Sequence, residues 1–62
     1  MEFRIKELRE KKKLTQQELA KKSGVSRSLI ILLETGTRTV TTTSTIEKLA
    51  DALGVPVKRL LV

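Results

Sequence analysis

The chain contains neither cysteine nor histidine among its 62 residues. Their absence excludes disulfides, zinc-finger ligand sets, thiol nucleophiles and imidazole bases. A chain this short buries only about 60% of the surface that its unfolded form exposes, so its stability must come from helix packing, with or without help from a second subunit. We therefore expect one domain over residues 1–62 that is not an enzyme and that has no catalytic residues, no metal and no cofactor.

Aromatic side chains and long apolar runs are also scarce. One phenylalanine, with no tryptophan or tyrosine, leaves nothing on which unpaired bases could stack. No apolar run approaches the roughly 20 residues that span a bilayer, and the amino terminus lacks the pattern of a secretory signal. These absences predict a cytoplasmic protein with no membrane partner and no small-molecule ligand. A nucleic-acid partner would be double-stranded DNA.

Positive charge is what the chain has in excess. Thirteen lysines and arginines against seven acidic residues leave a net charge of +6. Such an excess attracts polyanions, nucleic acid first and acidic membrane surfaces second. A charged, solubilising helical surface is the alternative explanation of the same excess.

The first half of the chain carries the signals of short helices. Ile5 and Leu8 are spaced to share one face of a first helix, and three lysines close its last turn. Thr15 with Glu18 is a capping box, in which each side chain satisfies the other residue's free backbone N–H. This box predicts a second helix of about two turns, which Gly24 ends.

A third helix follows after a very short turn. Ser26 is its predicted N-cap, and the run continues to Glu34. Two short helices joined by a few residues that include a glycine form a helix-turn-helix unit, here about 15–35.

The second half of the chain predicts a loop and two more helices. Residues 37–43 are polar and β-branched and predict an extended loop. Ser44 with Glu47 forms a second capping box, although Thr42 offers a start two residues earlier. Pro56 predicts the first position of a short fifth helix. The apolar stripe of the fourth helix has a 3.6-residue period: Ile46, Leu49, Ala50 and Leu53.

In the order of its motifs the chain resembles the Cro/C1-type (XRE) helix-turn-helix family along essentially its whole length. The matching stretches are 5–9, 14–20, 24–28, 33–36 and 49–55. The resemblance implies an all-α, compact five-helix, lambda-repressor-like DNA-binding domain. It also implies a transcriptional regulator of bacterial or phage type, associated with the nucleoid.

The resemblance implies which residues would contact DNA. The helix from Ser26 to Glu34 matches the recognition helix, which enters the major groove with Arg27, Ser28 and Leu32 towards the base edges. The positions that match contacts to the phosphate backbone are Gln16 and Gln17 at the start of the second helix, and Arg38 and Thr39 in the loop. Arg9 and Glu34 match a buried ion pair, whose role we expect to be structural.

The predicted recognition helix is unusually apolar. Its sequence runs from Leu29 to Leu33 without a polar residue. Ile30 and Leu33 point to the core, so Ile31 and Leu32 project to the opposite side. Three interpretations are open: contacts to thymine methyl groups, a protein–protein interface formed by Leu29, Ile31 and Leu32, or a helix packing that differs from the family's.

A homodimer is expected because one recognition helix reads only a few base pairs. Two half-sites about 34–36 Å apart supply affinity and specificity. The expected subunit contact involves the fourth and fifth helices with Leu60, Leu61 and Val62. The alternative function is a protein-interaction module, natural or engineered, that self-associates through the apolar face of the third helix.

Overall fold

The computed structural model describes residues 3–61, and the helices in that range are five. They are α1 (Ile5–Lys11), α2 (Gln16–Ser23), α3 (Arg27–Glu34), α4 (Thr43–Leu53) and α5 (Val57–Leu60). Outside them, an isolated antiparallel bridge pairs Phe3 with Leu61. The predicted all-α class is confirmed. None of these helices is long and apolar enough to cross a membrane.

The ends of α2 and the start of α3 are the ones that the sequence predicts. The Glu18 backbone N–H donates to Thr15 Oγ1 at 3.0 Å, and the Thr15 N–H donates to Glu18 Oε1 at 2.8 Å. Gly24 ends α2 with φ +77°, a left-handed conformation that favours glycine. Ser26 Oγ accepts a hydrogen bond from the Leu29 N–H at 3.2 Å. The capping box of α2 and the N-cap of α3 are therefore confirmed.

The start of α4 corrects one prediction. Thr42, not Ser44, is the N-cap, and its Oγ1 accepts from the Thr45 N–H at 3.2 Å. The Thr42 carbonyl also accepts the first helical hydrogen bond, from Ile46 N–H at 3.2 Å. A start at Ser44 would leave this bond unmade, so the capping box of Ser44 with Glu47 is wrong.

The start of α5 corrects a second prediction by one residue. Pro56 has φ −68° and ψ 153°, so it is the N-cap and not the first helical residue. The fixed φ of proline suits both positions, and the extended ψ decides between them. The Pro56 carbonyl accepts from the Arg59 N–H at 2.9 Å, which closes this single turn.

The core is formed by aliphatic side chains from all five helices and from the turn before α3. α2 packs on α3 and α4, α1 packs on α3 and α4, and α5 packs on α4. Leu19 and Leu49, on the predicted inner faces, are fully buried. The buried residues are Ile5, Leu8, Leu19, Val25, Ile30, Leu33, Leu49, Ala50, Ala52, Leu53 and Leu60. This packing holds α3 with one face in the core and the other in solvent.

Candidate nucleic-acid interface

The outer face of α3 presents the predicted base-contacting residues to solvent. Arg27, Ser28 and Leu32 are exposed, whereas Ile30 and Leu33 on the opposite side have at most 2% of their surface exposed. Arg27 and Ser28 occupy the first turn, where a helix end carries free N–H groups and a partial positive charge. α3 therefore offers a charged and hydrogen-bonding amino end on the side away from the core.

The apolar part of this outer face is smaller than the sequence predicts. Leu29 is half-buried and packs against the core, so it does not belong to an exposed surface with Leu32. Ile31 is also half-buried, and Leu32 is 37% exposed. Leu29, which the sequence analysis includes in a candidate protein interface, lies at the edge of the core, so it offers a partner only part of its side chain.

Arg9 and Glu34 form the ion pair that the resemblance implies, and it joins three helices. Arg9 Nε and Nη2 donate to the two Glu34 carboxylate oxygens at 2.8 and 3.1 Å, and the side chains are only 11% and 3% exposed. Arg9 Nη1 also donates to the Leu14 carbonyl at 2.8 Å, ahead of α2. The hydrogen bond to Glu34 raises the pKa of Arg9 above its ordinary value.

The amino end of α2 lies beside this ion pair. Gln16 Nε2 donates to Glu34 Oε1 at 3.0 Å, a contact that nothing in the sequence indicates because the two residues are 18 positions apart. Gln16 is half-buried, whereas Gln17 is exposed. An amide nitrogen has two hydrogens, so Gln16 retains one donor while Glu34 fixes the orientation of its amide.

The loop between α3 and α4 is held close to the carboxyl end of α3. The Arg38 backbone N–H donates to the Leu32 carbonyl at 3.0 Å. Arg38 Nε donates to the Val40 carbonyl at 3.1 Å, and Arg38 and Thr39 are exposed. Val40, 76% exposed, is not among the residues that the sequence pattern predicts for the site. In the sequence, the only feature that distinguishes Val40 is that it is the one aliphatic residue in the polar run 37–43.

The residues expected to join two subunits have different environments. Leu60 is fully buried, and its carbonyl accepts from the Arg4 N–H at 2.8 Å. Leu60 is therefore a core residue and has no surface to offer a partner, which corrects the prediction for this position. Leu61 is half-buried beside Phe3, and Val62 lies outside the described residues.

We also searched residues 3–61 for a metal site and for a ligand-binding groove. No cluster of three or more acidic, cysteine or histidine side chains in this range could hold a metal ion. An open groove lies between α1 and the end of α3, bordered by residues of both charges, among them Lys6, Glu7, Glu10 and Arg38. Its mixed charge does not indicate one class of ligand.

Comparison with known proteins places the chain among helix-turn-helix proteins. A family model described as helix-turn-helix matches residues 5–60. The chain is similar to the HTH-type transcriptional repressor RghR of Bacillus subtilis, with 46% identity over 57 residues, which are 92% of this chain and 42% of that protein. It is also 42% identical over 57 residues to the uncharacterised HTH-type transcriptional regulator RghRB of the same organism.

An archaeal protein is similar over a shorter stretch. An uncharacterised HTH-type transcriptional regulator of Archaeoglobus fulgidus is 56% identical over 36 residues, 58% of this chain and 51% of that protein. The chain spans less than half the length of the two Bacillus relatives. No solved structure gives a significant match.

Proposed function

This chain belongs to the Cro/C1-type helix-turn-helix family, and from that membership we propose that it is a sequence-specific transcriptional regulator that binds double-stranded DNA as a homodimer. The recognition element is α3, which enters the major groove with Arg27, Ser28 and Leu32 facing the base edges. The observation that carries the proposal is that α3 is buried on one side only. Its inner face is in the core, while Arg27 and Ser28 are exposed at its amino end.

The proposed contacts to the DNA phosphate backbone come from residues before and after α3 in the sequence. Gln17 is exposed at the amino end of α2, where free N–H groups and the helix dipole favour an anion. Gln16 lies beside it, with its amide oriented by Glu34 at 3.0 Å. Arg38 and Thr39 lie in the loop that is hydrogen-bonded to the carboxyl end of α3. Phosphate contacts on both sides would fix the register of α3 on the duplex.

The proposed dimer contact lies where α4 meets α5. The buried Leu60 cannot contribute without leaving the core. A groove at this place is bordered by Val55, Pro56 and Val57, of which Val57 is 36% exposed, and by the charged residues Glu47, Lys48 and Asp51. An isologous contact through this groove would pair two copies and so two half-sites.

The test of DNA binding is a salt titration of affinity for duplexes selected from a random pool. Lysines and arginines displace counterions from phosphates, so the affinity should fall steeply as salt rises. Arg38→Ala should weaken binding to all sequences by a similar factor, whereas Arg27→Ala should also relax the sequence preference. Lys6→Ala on α1 removes the same charge from an exposed position that the proposal places neither on DNA nor in the dimer contact, and is the matched control. Absence of duplex binding even at low salt refutes the proposal.

Self-association through α3 is the competing function, and the exposed area speaks against it. A stable protein interface buries about 800 Å² on each partner. Leu29 and Ile31 are half-buried and Leu32 is 37% exposed, so α3 exposes much less apolar surface than three whole side chains. Sedimentation of Leu32→Glu tests this alternative, because loss of the dimer with folding intact would favour it.

A further inference from the structure

The outer face of α3 is polar at its amino end and apolar one turn later. Arg27 and Ser28 are exposed at the amino end, and Ile31 and Leu32 follow them by four residues each. Side chains four residues apart are neighbours on a helix surface, so all four share one face. A partner for this face must combine hydrogen-bonding groups with an apolar group immediately beside them.

We propose that Ile31 and Leu32, the apolar patch of α3, bind the C5 methyl groups of thymines in the major groove. The inference rests on the proposed function, since it assigns a specificity to the same helix. Among the groups that the four bases present in that groove, the thymine methyl is the apolar one, and the others are hydrogen-bond donors or acceptors. Aliphatic side chains that bury such donors and acceptors leave them unpaired at a cost. The patch therefore favours thymine and disfavours the other bases at the positions it covers.

Charge around the patch favours DNA over a second copy of the chain. Arg27 lies one turn before the patch, and the Arg38 backbone N–H is bonded to the Leu32 carbonyl at 3.0 Å. The chain has a net charge of +6, which attracts a polyanion. A symmetric contact through this face would instead bring the Arg27 side chains of two copies towards each other. Ile31 is half-buried and Leu32 is 37% exposed, so the patch is far smaller than the about 800 Å² that each partner buries in a stable interface.

The test replaces single thymines by deoxyuridine, which lacks only the C5 methyl group. The probe is a duplex selected from a random pool by the chain itself, with its affinity measured at one fixed salt concentration. A buried methyl group contributes about 0.8 kcal/mol, which corresponds to about a four-fold change in affinity. We expect about four-fold weaker binding for each contacted thymine. We also expect Leu32→Ala to bind the thymine and deoxyuridine duplexes almost equally at that position.

The control is Glu7→Ala, because Glu7 is exposed on α1, outside α3 and outside the proposed dimer groove. This variant should keep the full sensitivity to deoxyuridine. Selected duplexes that bind equally well with deoxyuridine at every position would overturn the inference and leave the proposed function standing. Failure to bind any duplex at low salt would overturn both. If Leu32→Ala dissociates a dimer and leaves the methyl dependence unchanged, the patch belongs to a second copy and the inference is wrong.

Discussion

Glu34→Ala should be among the most destabilising polar substitutions in this fold, because one carboxylate joins three helices. Its two oxygens accept hydrogen bonds from Arg9 Nε at 2.8 Å, Arg9 Nη2 at 3.1 Å and Gln16 Nε2 at 3.0 Å. Arg9 and Glu34 are 11% and 3% exposed, so solvent can replace little of what the substitution removes. Glu34 thus links α3 to α1 and to the first residue of α2.

The magnitude follows from the charge that is left behind. Removing one partner of a buried ion pair costs about 3–5 kcal/mol, because the other charge stays buried without compensation. A domain of this length has a free energy of unfolding of about 3–9 kcal/mol, at 0.05–0.15 kcal/mol per residue. Glu34→Ala should therefore remove much of the stability. At about 4–8 °C per kcal/mol, the melting temperature should fall by more than about 12 °C.

Thermal and urea unfolding followed by circular dichroism measure this loss. The double variant Arg9→Met with Glu34→Leu removes both charges and keeps apolar volume, so it should recover most of the stability. Recovery should be incomplete, because Gln16 and the Leu14 carbonyl lose hydrogen-bond partners. Glu7→Ala, at an exposed position of α1, is the control. A Glu34→Ala protein that melts within a few degrees of the parent, or a double variant no more stable than Glu34→Ala, refutes the reasoning.

Two further predictions concern the core and the cap of α2. Leu49 is fully buried, so Leu49→Ala should lower the free energy of unfolding by about 2–5 kcal/mol in urea; curves that coincide with those of Leu32→Ala would contradict it. The Thr15 backbone N–H, and then its hydroxyl, lower the pKa of Glu18. Because the folded pKa lies below the unfolded one, this contribution is complete above the unfolded pKa and is lost as pH falls through the folded pKa. An NMR titration of the Glu18 carboxyl should give the lowered pKa, and Glu18→Gln should remove this part of the acid dependence; an unlowered pKa would contradict the cap.

Local signals predict the parts of the fold that depend on neighbouring residues. The box of Thr15 with Glu18, the N-cap at Ser26 and the left-handed Gly24 are each determined within a few residues, and all are present. Two N-cap candidates only two positions apart are harder to separate, because Thr42 and Ser44 both have a side-chain oxygen that can accept a hydrogen bond. A backbone hydrogen bond distinguishes them, because the earlier start gives the Ile46 N–H a partner, the Thr42 carbonyl.

Tertiary contacts determine what local signals cannot. Leu60 ends a four-residue helix near the end of the chain, a place where an apolar residue is equally compatible with a core and with a subunit interface. The Arg4 N–H donates to the Leu60 carbonyl at 2.8 Å, which joins the segment before α1 to α5, and the Leu60 side chain is fully buried. The contact of Gln16 with Glu34 likewise depends on how α2 and α3 cross. No periodicity within one helix contains that information.

The five aliphatic residues from Leu29 to Leu33 show both effects, because local periodicity predicts some of their environments and tertiary contacts determine the others. Sequence periodicity separates Ile30 and Leu33 from Ile31 and Leu32, and burial agrees for the first pair. Only the packing of α3 shows that Leu29 lies at the core edge and that Ile31 is half-covered. Three wholly exposed aliphatic side chains would indicate a protein partner, whereas the smaller apolar surface that α3 leaves exposed suits contacts to methyl groups. An apolar outer face of α3 is therefore compatible with the proposed DNA binding, provided that the bases it covers are thymines.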